Sequence, residues 1–267
     1  MKRLALLLAV LFLAGCSAPA VTTATTAATT VTTTATTVTT TATVTTTTTT
    51  TPATTTTPAP VLPLTGKIIG LDPGHQAHGN ADQEPVAPGS SQTKKKVSSG
   101  TSGPWSGVDE YVVNLEVALA LRDALEAQGA TVVMTREIHA VDISNVQRAQ
   151  VFNEARVDYA LRIHCDGTSN PDRHGAHVLY PAENPYQEDC VRAAQLLVDA
   201  YCGATGFKNL GINRRSDLSG FNWCERMTVL IEMGYMSNQS DDLALSDPAM
   251  REKMVSGILA GILAYFE

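Results

Sequence analysis

The sequence predicts a single α/β domain built on a mostly parallel twisted sheet with helices on both faces, and three features predict it. Short apolar runs lead into Lys67-Ile-Ile-Gly-Leu-Asp-Pro-Gly-His75, Tyr159-Ala-Leu-Arg-Ile-His164 and Val229-Leu-Ile-Glu232. Turn residues bound these runs, and stretches with helical periodicity separate them. Runs of this kind read as buried parallel strands, and open parallel sheets bind ligands beyond their carboxyl ends. Two histidines and a glutamate would then share one rim.

Taken in order, the first strand passes into a Gly- and Ser-rich loop from Gln76 to Val108. Apolar residues then recur at helical spacing from Tyr111 to Gln128, until Gly129 stops the helix. Thr131-Val-Val-Met-Thr135 reads as the next strand, and Asp142 to Ala155 as a helix that Ser144 can cap. The strand ending at His164 follows, then one near Ala176 to Tyr180, which repeats the βαβ pattern. Gln187 to Tyr201 is helical, the strand ending at Glu232 comes next, and the last helix opens at Asp247-Pro248, a cap residue with proline at the first helical position. A sheet covered on both faces is the outcome these alternations favour.

The front of the chain has a different character. Met1-Lys2-Arg3 and the apolar run Leu4 to Ala14 form an export signal over residues 1–15, too short to span a bilayer. Leu13-Ala14-Gly15-Cys16 resembles the lipobox of bacterial lipoproteins, which implies that Cys16 carries lipid and anchors the chain to the outer side of the cell membrane. Residues 16–64 are almost only Thr, Ala, Val and Pro, with no charge to fold around and no aromatic to bury, and read as a tether. Extended at about 3 Å per residue, it would hold a domain roughly 100 Å or more from the membrane. Residues 65–267 remain, enough for one domain with a real core.

That domain is acidic. Of 19 basic side chains only Lys2 and Arg3 precede residue 65, which leaves 17 against 26 acidic ones. Binding to a nucleic-acid backbone is excluded on that balance, and a monomer is expected. Lys94-Lys95-Lys96 reads as a solvated loop. Export permits disulfides, but Cys165, Cys190, Cys202 and Cys224 lack metal-site spacing, and a Cys165–Cys224 bridge is one option among several.

The rim carries the chemistry. Two imidazoles and one carboxylate are the usual donors of a hydrolytic zinc site, with the fourth position left for water. A second carboxylate is then needed as base. Glu110 and Glu232 are the candidates, and spacing leaves their roles interchangeable. His78, His139, His174 and His177 have no such company.

Asp72-Pro-Gly-His75, Glu110 ahead of Asn114-Leu115, Thr135-Arg136, Arg162-Ile-His-Cys-Asp166 and Leu230-Ile-Glu-Met-Gly-Tyr-Met-Ser-Asn238 together resemble the zinc-dependent N-acetylmuramoyl-L-alanine amidases of the amidase-3 type. The resemblance spans nearly the whole domain. It implies that His75, Glu110 and His164 bind Zn2+ and that Glu232 takes a proton from water and returns it to the leaving amine. The substrate implied is peptidoglycan, cut between the lactyl group of N-acetylmuramic acid and L-alanine. Arg162 stands where the family often has serine, and Cys165 where a small residue is usual. Arg136 and Arg148 are candidates to hold stem-peptide carboxylates, with ion pairs inside the fold as the alternative, and Asn222 is a candidate for substrate contact or packing. Another zinc hydrolase of the cell wall, a peptidase or deacetylase, would share the ligands, and a non-catalytic wall-binding module would not need Glu232.

Overall fold

A computed structural model describes residues 61–267. The expected signal, Cys16 and most of the tether lie outside the described residues. The folded region begins earlier than residue 65: Leu64 is fully buried in the core, and its N–H donates to the Gln128 carbonyl at 2.9 Å. Anchoring one apolar side chain ahead of the first strand makes this end of the tether part of the domain.

Strands β1 (Ile68–Pro73), β4 (Thr131–Met134), β5 (Tyr159–Asp166), β6 (Ala176–Pro181), β7 (Asn209–Arg215) and β8 (Thr228–Tyr235) form one sheet in the order β4-β1-β5-β8-β6-β7. The strands β4, β1, β5 and β8 are parallel neighbours. By contrast β6 runs antiparallel to β8, with β7 parallel to β6. The reversal has a simple cause. Only residues 167–175 join β5 to β6, whereas a parallel return needs a crossover of a dozen or more residues. The chain therefore turns back at the same end of the sheet.

Alternation along each strand sorts the two faces. Leu71, Leu161, Ile163, Val229, Ile231 and Val178 point into the main core. There they meet α1 (Glu110–Ala127), α3 (Gln187–Thr205) and α6 (Pro248–Phe266). Full burial of a Leu or Ile side chain contributes about 1.5–3 kcal/mol, so this layer dominates the stability of the domain. The opposite face is covered only in part, by α2 (Asn145–Ala155), which packs Phe152 onto Gly70 of β1, and by the single turn α4 (Ser219–Asn222). Phe221 of α4 packs on Leu179 of β6 and Leu230 of β8, and a cleft remains beside it over β5, β8 and β6.

Helix ends follow the residues that predicted them. Ser144 accepts from the Gln147 N–H, and Gln147 reaches back to the Ser144 N–H, so α2 starts on a complete capping box. Asp247 caps α6 with Pro248 at its first turn, and Gly129, with φ at 90°, follows the C-cap of α1.

Three parts of the sequence behave differently from expectation. The Gln76–Val108 segment contains an antiparallel ribbon, β2 (Asn80–Pro85) with β3 (Thr93–Val97), and Lys94, Lys95 and Lys96 lie on β3 rather than in a loop. The ribbon is tied down: Trp223 Nε1 donates to the Pro85 carbonyl at 2.9 Å, and Glu84 accepts from the Val146 N–H at the start of α2 at 3.2 Å. Secondly, β7 and α5 (Gln239–Leu245) are additional elements. The four described cysteines are free thiols. Cys165 packs into the main core while Cys224 packs on the α2 side, so the sheet separates them and the Cys165–Cys224 bridge is not formed.

Candidate metal centre and active site

β1, β5 and β8 are adjacent and parallel, which brings their carboxyl ends to one rim. His75 follows β1 by two residues with φ at 59°, a left-handed conformation that costs a non-glycine residue about 1–2 kcal/mol. Its ring is held where it stands: Nδ1 lies 2.9 Å from the Ser98 carbonyl, and the His75 carbonyl accepts from Arg148 Nη2 at 2.9 Å. An Nδ1–H donated to Ser98 leaves the Nε2 lone pair facing the rim. His164 lies near the end of β5, close against the turn after β1. A Cβ on Gly74 would come within 2.2 Å of its ring, so only glycine lets the two strand ends approach.

Glu110 opens α1 and is 2% exposed. Its Oε2 accepts the Thr101 N–H at 2.9 Å, and its Oε1 accepts the Cys165 N–H at 3.1 Å and Asn114 Nδ2 at 3.2 Å. That same Oε1 stands 3.2 Å from His75 Nε2 and 3.1 Å from His164 Nδ1. The three donor groups lie within 4.8 Å of one another. Two ligands of a tetrahedral zinc, each at about 2.0–2.1 Å, are separated by about 3.3 Å, so the glutamate-to-histidine spacings suit that ion. Donor chemistry agrees, with two imidazoles and one carboxylate and, in Ser98 and Asn114, outer partners that fix their orientation.

Electrostatics in this cluster are polarised. Burial would raise the Glu110 carboxyl, but His75 and His164 hold it far below the ordinary range. Burial lowers His75, yet the Glu110 charge outweighs it and raises the imidazole; His164, buried against cationic neighbours, is lowered.

Glu232 sits in β8, in register with His164 on one side and His177 on the other. Its Oε2 is buried with no hydrogen-bond partner. Desolvation, then repulsion from Glu110 and Asp166, pushes its carboxyl well above the ordinary range, with Arg215 opposing. A carboxyl so placed readily holds a proton. Glu232, His75 and His164 line a cleft of about 520 Å³ that extends over the open face of the sheet, walled by β3 and α4.

Arg136, Arg148 and Asn222 spend their donors within the fold rather than in that cleft, the alternative the sequence left open for each. All five N–H groups of Arg148 are used, on Ile143, Pro73 and His75 carbonyls, Asp72 and Gln76. Arg136 donates to the Pro73, Gly74, Tyr111 and Ile138 carbonyls. Both arginines therefore brace the β1 turn that presents His75. Asn222 Nδ2 donates to Val86 and Ser216 carbonyls and seats α4 on the ribbon. Sequence reasoning passed over Arg162, Arg215, Lys94 and Lys95 as cleft residues, although all four line it. Only the Arg162 departure from serine signalled any of them.

A wound sheet whose parallel strands deliver imidazole and carboxylate donors to one open rim defines a hydrolase with a metal-type site. The family model for N-acetylmuramoyl-L-alanine amidase, amidase-3, matches residues 69–264, and the chain belongs to that family. It is 30% identical over 213 residues to N-acetylmuramoyl-L-alanine amidase Rv3717 of Mycobacterium tuberculosis, covering 76% of this chain and 87% of the relative. The germination-specific N-acetylmuramoyl-L-alanine amidase of Bacillus subtilis is 30% identical over 225 residues, covering 77% and 82%. Among solved structures, the amidase Ami1 of Mycobacterium smegmatis matches with a TM-score of 0.70 at 31% identity, over 76% of this chain and 98% of that one. The protein is a peptidoglycan amidase.

Proposed function

We propose that this chain hydrolyses the amide between the lactyl group of N-acetylmuramic acid and L-alanine with Zn2+ held by His75, Glu110 and His164. The observation that carries the reading is Glu110 Oε1 at 3.2 and 3.1 Å from two imidazole nitrogens, with Glu232 in register beside His164. Zinc in that position supplies a Lewis acid for the scissile carbonyl and lowers the pKa of water toward about 7. Glu232 takes the proton from the attacking water, keeps it in surroundings that favour the neutral acid, and delivers it to the departing L-alanine amine. Ser98 and Asn114 hold the ligand side chains in place.

The reading extends to the cell surface. Residues 1–15 direct export, Cys16 carries the lipid, the residues between it and the buried Leu64 serve as tether, and the catalytic domain works as a monomer on the wall outside the membrane. Support for this comes from the sequence. Radiolabelled lipid recovered on the wild type and lost in Cys16→Ala tests it.

Mass spectrometry of digested peptidoglycan tests the chemistry. Free stem peptides with an L-alanine amino terminus are expected, absent with Glu232→Gln while zinc remains bound. Peptides cut internally, lost acetyl groups or an unchanged wall would each overturn the assignment.

A further inference from the structure

The domain carries 17 basic against 26 acidic side chains, yet its cleft has the opposite character. Four cations line it, Lys94, Lys95, Arg162 and Arg215, against a single carboxylate, Glu232. Arg162 is the informative one. It projects from β5 onto the open face and is 5% exposed. Its Nη2 donates to Asn145 Oδ1 at 3.0 Å and contacts Asp72 at 2.8 Å. The remainder of the guanidinium is unspent: Nε is buried without a partner, and Nη1 meets no acceptor among the described residues. α4 is shaped around it, since a Cβ on Gly220 would lie 0.8 Å from Nη1. Asp72 faces Arg162 from beneath but is shared with Arg148, so one carboxylate serves two guanidinium groups, and Arg162 keeps unused donors at the floor of the cleft.

The position of that floor sets which anion. Arg162 pairs with Leu230 across to Leu179, and the next row on that same face of the sheet is His164, Glu232 and His177. One such step along a strand is about 6.6 Å. In an extended peptide, a carboxylate on the second residue beyond the scissile carbonyl lies about 7 Å from it, at about 3.3–3.6 Å per residue. Arg215, oriented by Asp217 through contacts of 2.7 and 2.8 Å, and Lys95 of the ribbon stand on the cleft walls.

We propose that Arg162, supported by Arg215 and Lys95, is a specificity subsite for a free carboxylate on the residue that follows L-alanine, so the enzyme selects stem peptides with that acid over those with its carboxamide. The proposal rests on the amidase reading above. A hydrogen-bonded ion pair of this kind discriminates by about tenfold or more between acid and amide.

The test uses two synthetic N-acetylmuramoyl-L-alanyl peptides that differ only in a carboxylate or carboxamide at that residue, and kcat/KM for each. Wild type is expected to favour the carboxylate by about tenfold or more, chiefly through KM. In Arg162→Gln the ratio should fall toward one, and Arg162→Lys should restore part of it. Arg215→Gln, on the rim and without a buried partner to lose, should lower the ratio even if Arg162→Gln fails to fold. Equal wild-type rates on both peptides, or a ratio that survives in Arg162→Gln and Arg215→Gln alike, would overturn the subsite while leaving the amidase reading intact. Cleavage of neither peptide at the lactyl amide would overturn both.

Discussion

Replacing Asp72 by Asn isolates the electrostatic knot beneath the site. Asp72 is fully buried in β1, accepts from Thr135 Oγ1 at 2.6 Å and Arg148 Nη1 at 2.7 Å, and forms an ion pair with Arg162 Nη2 at 2.8 Å. Burial alone would raise this carboxyl, but Arg148, Arg162 and Thr135 hold it far below the ordinary range. The Asn variant keeps volume and loses the charge, leaving two buried guanidinium groups without their counterion. Removing one partner of a buried pair costs about 3–5 kcal/mol. In a domain of this size each kcal/mol shifts Tm by roughly 2–4 °C, so a fall of roughly 6–20 °C is expected at pH 7. The pH dependence follows from the sign of the shift. Because the folded-state pKa is depressed, the contribution of Asp72 is complete above the unfolded carboxylate value near 4 and fades as pH falls below it. Thermal unfolding followed by circular dichroism between pH 3 and 8 measures both. A fall under about 2 °C at pH 7, or a difference as large at pH 3 as at pH 7, would refute the reasoning.

Chelation of the purified protein should lower Tm and remove activity, and zinc should restore both; in His75→Ala, elemental analysis should find the metal lost and zinc should no longer raise Tm. Glu232→Gln should make the metal-free domain more stable at pH 7–8, since a group with a raised folded-state pKa contributes most below its unfolded value and loses that contribution as pH rises through the folded one. A less stable metal-free variant at that pH would contradict the desolvated placement of Glu232. Gly220→Ala forces Arg162 from its seat, and overpacking of this kind costs about 1–3 kcal/mol, which differential scanning calorimetry resolves. An unchanged Tm would mean that α4 gives way freely.

The parallel core of the sheet was legible because its strands are buried on both faces near the rim and so read as continuous apolar runs, and helix starts were legible because their caps are local. The ribbon escaped notice for the opposite reason. Asn80–Pro85 and Thr93–Val97 bury little and pair with each other, so neither carries an apolar pattern. β7 is an edge strand of the same sort, with Asn209, Asn213, Arg214 and Arg215 among its seven residues. The sequence left Arg136 and Arg148 with two readings because a guanidinium that binds substrate and one that braces a turn look alike in a sequence. The partners that fix the β1 turn, the Pro73, Gly74 and His75 carbonyls, lie 60 or more positions away.

By itself the sequence determined strands β1, β4, β5, β6 and β8, the four long helices, the residues able to bind a metal and the family they resemble. Periodicity, caps and short motifs all act within a few residues. Only the tertiary structure decided which carboxylate lies between the imidazoles and which stands apart, because Glu110 and Glu232 differ in surroundings rather than in chemistry. The same holds for Arg162, whose unused donors exist only once β5, α4 and the ribbon have closed around it.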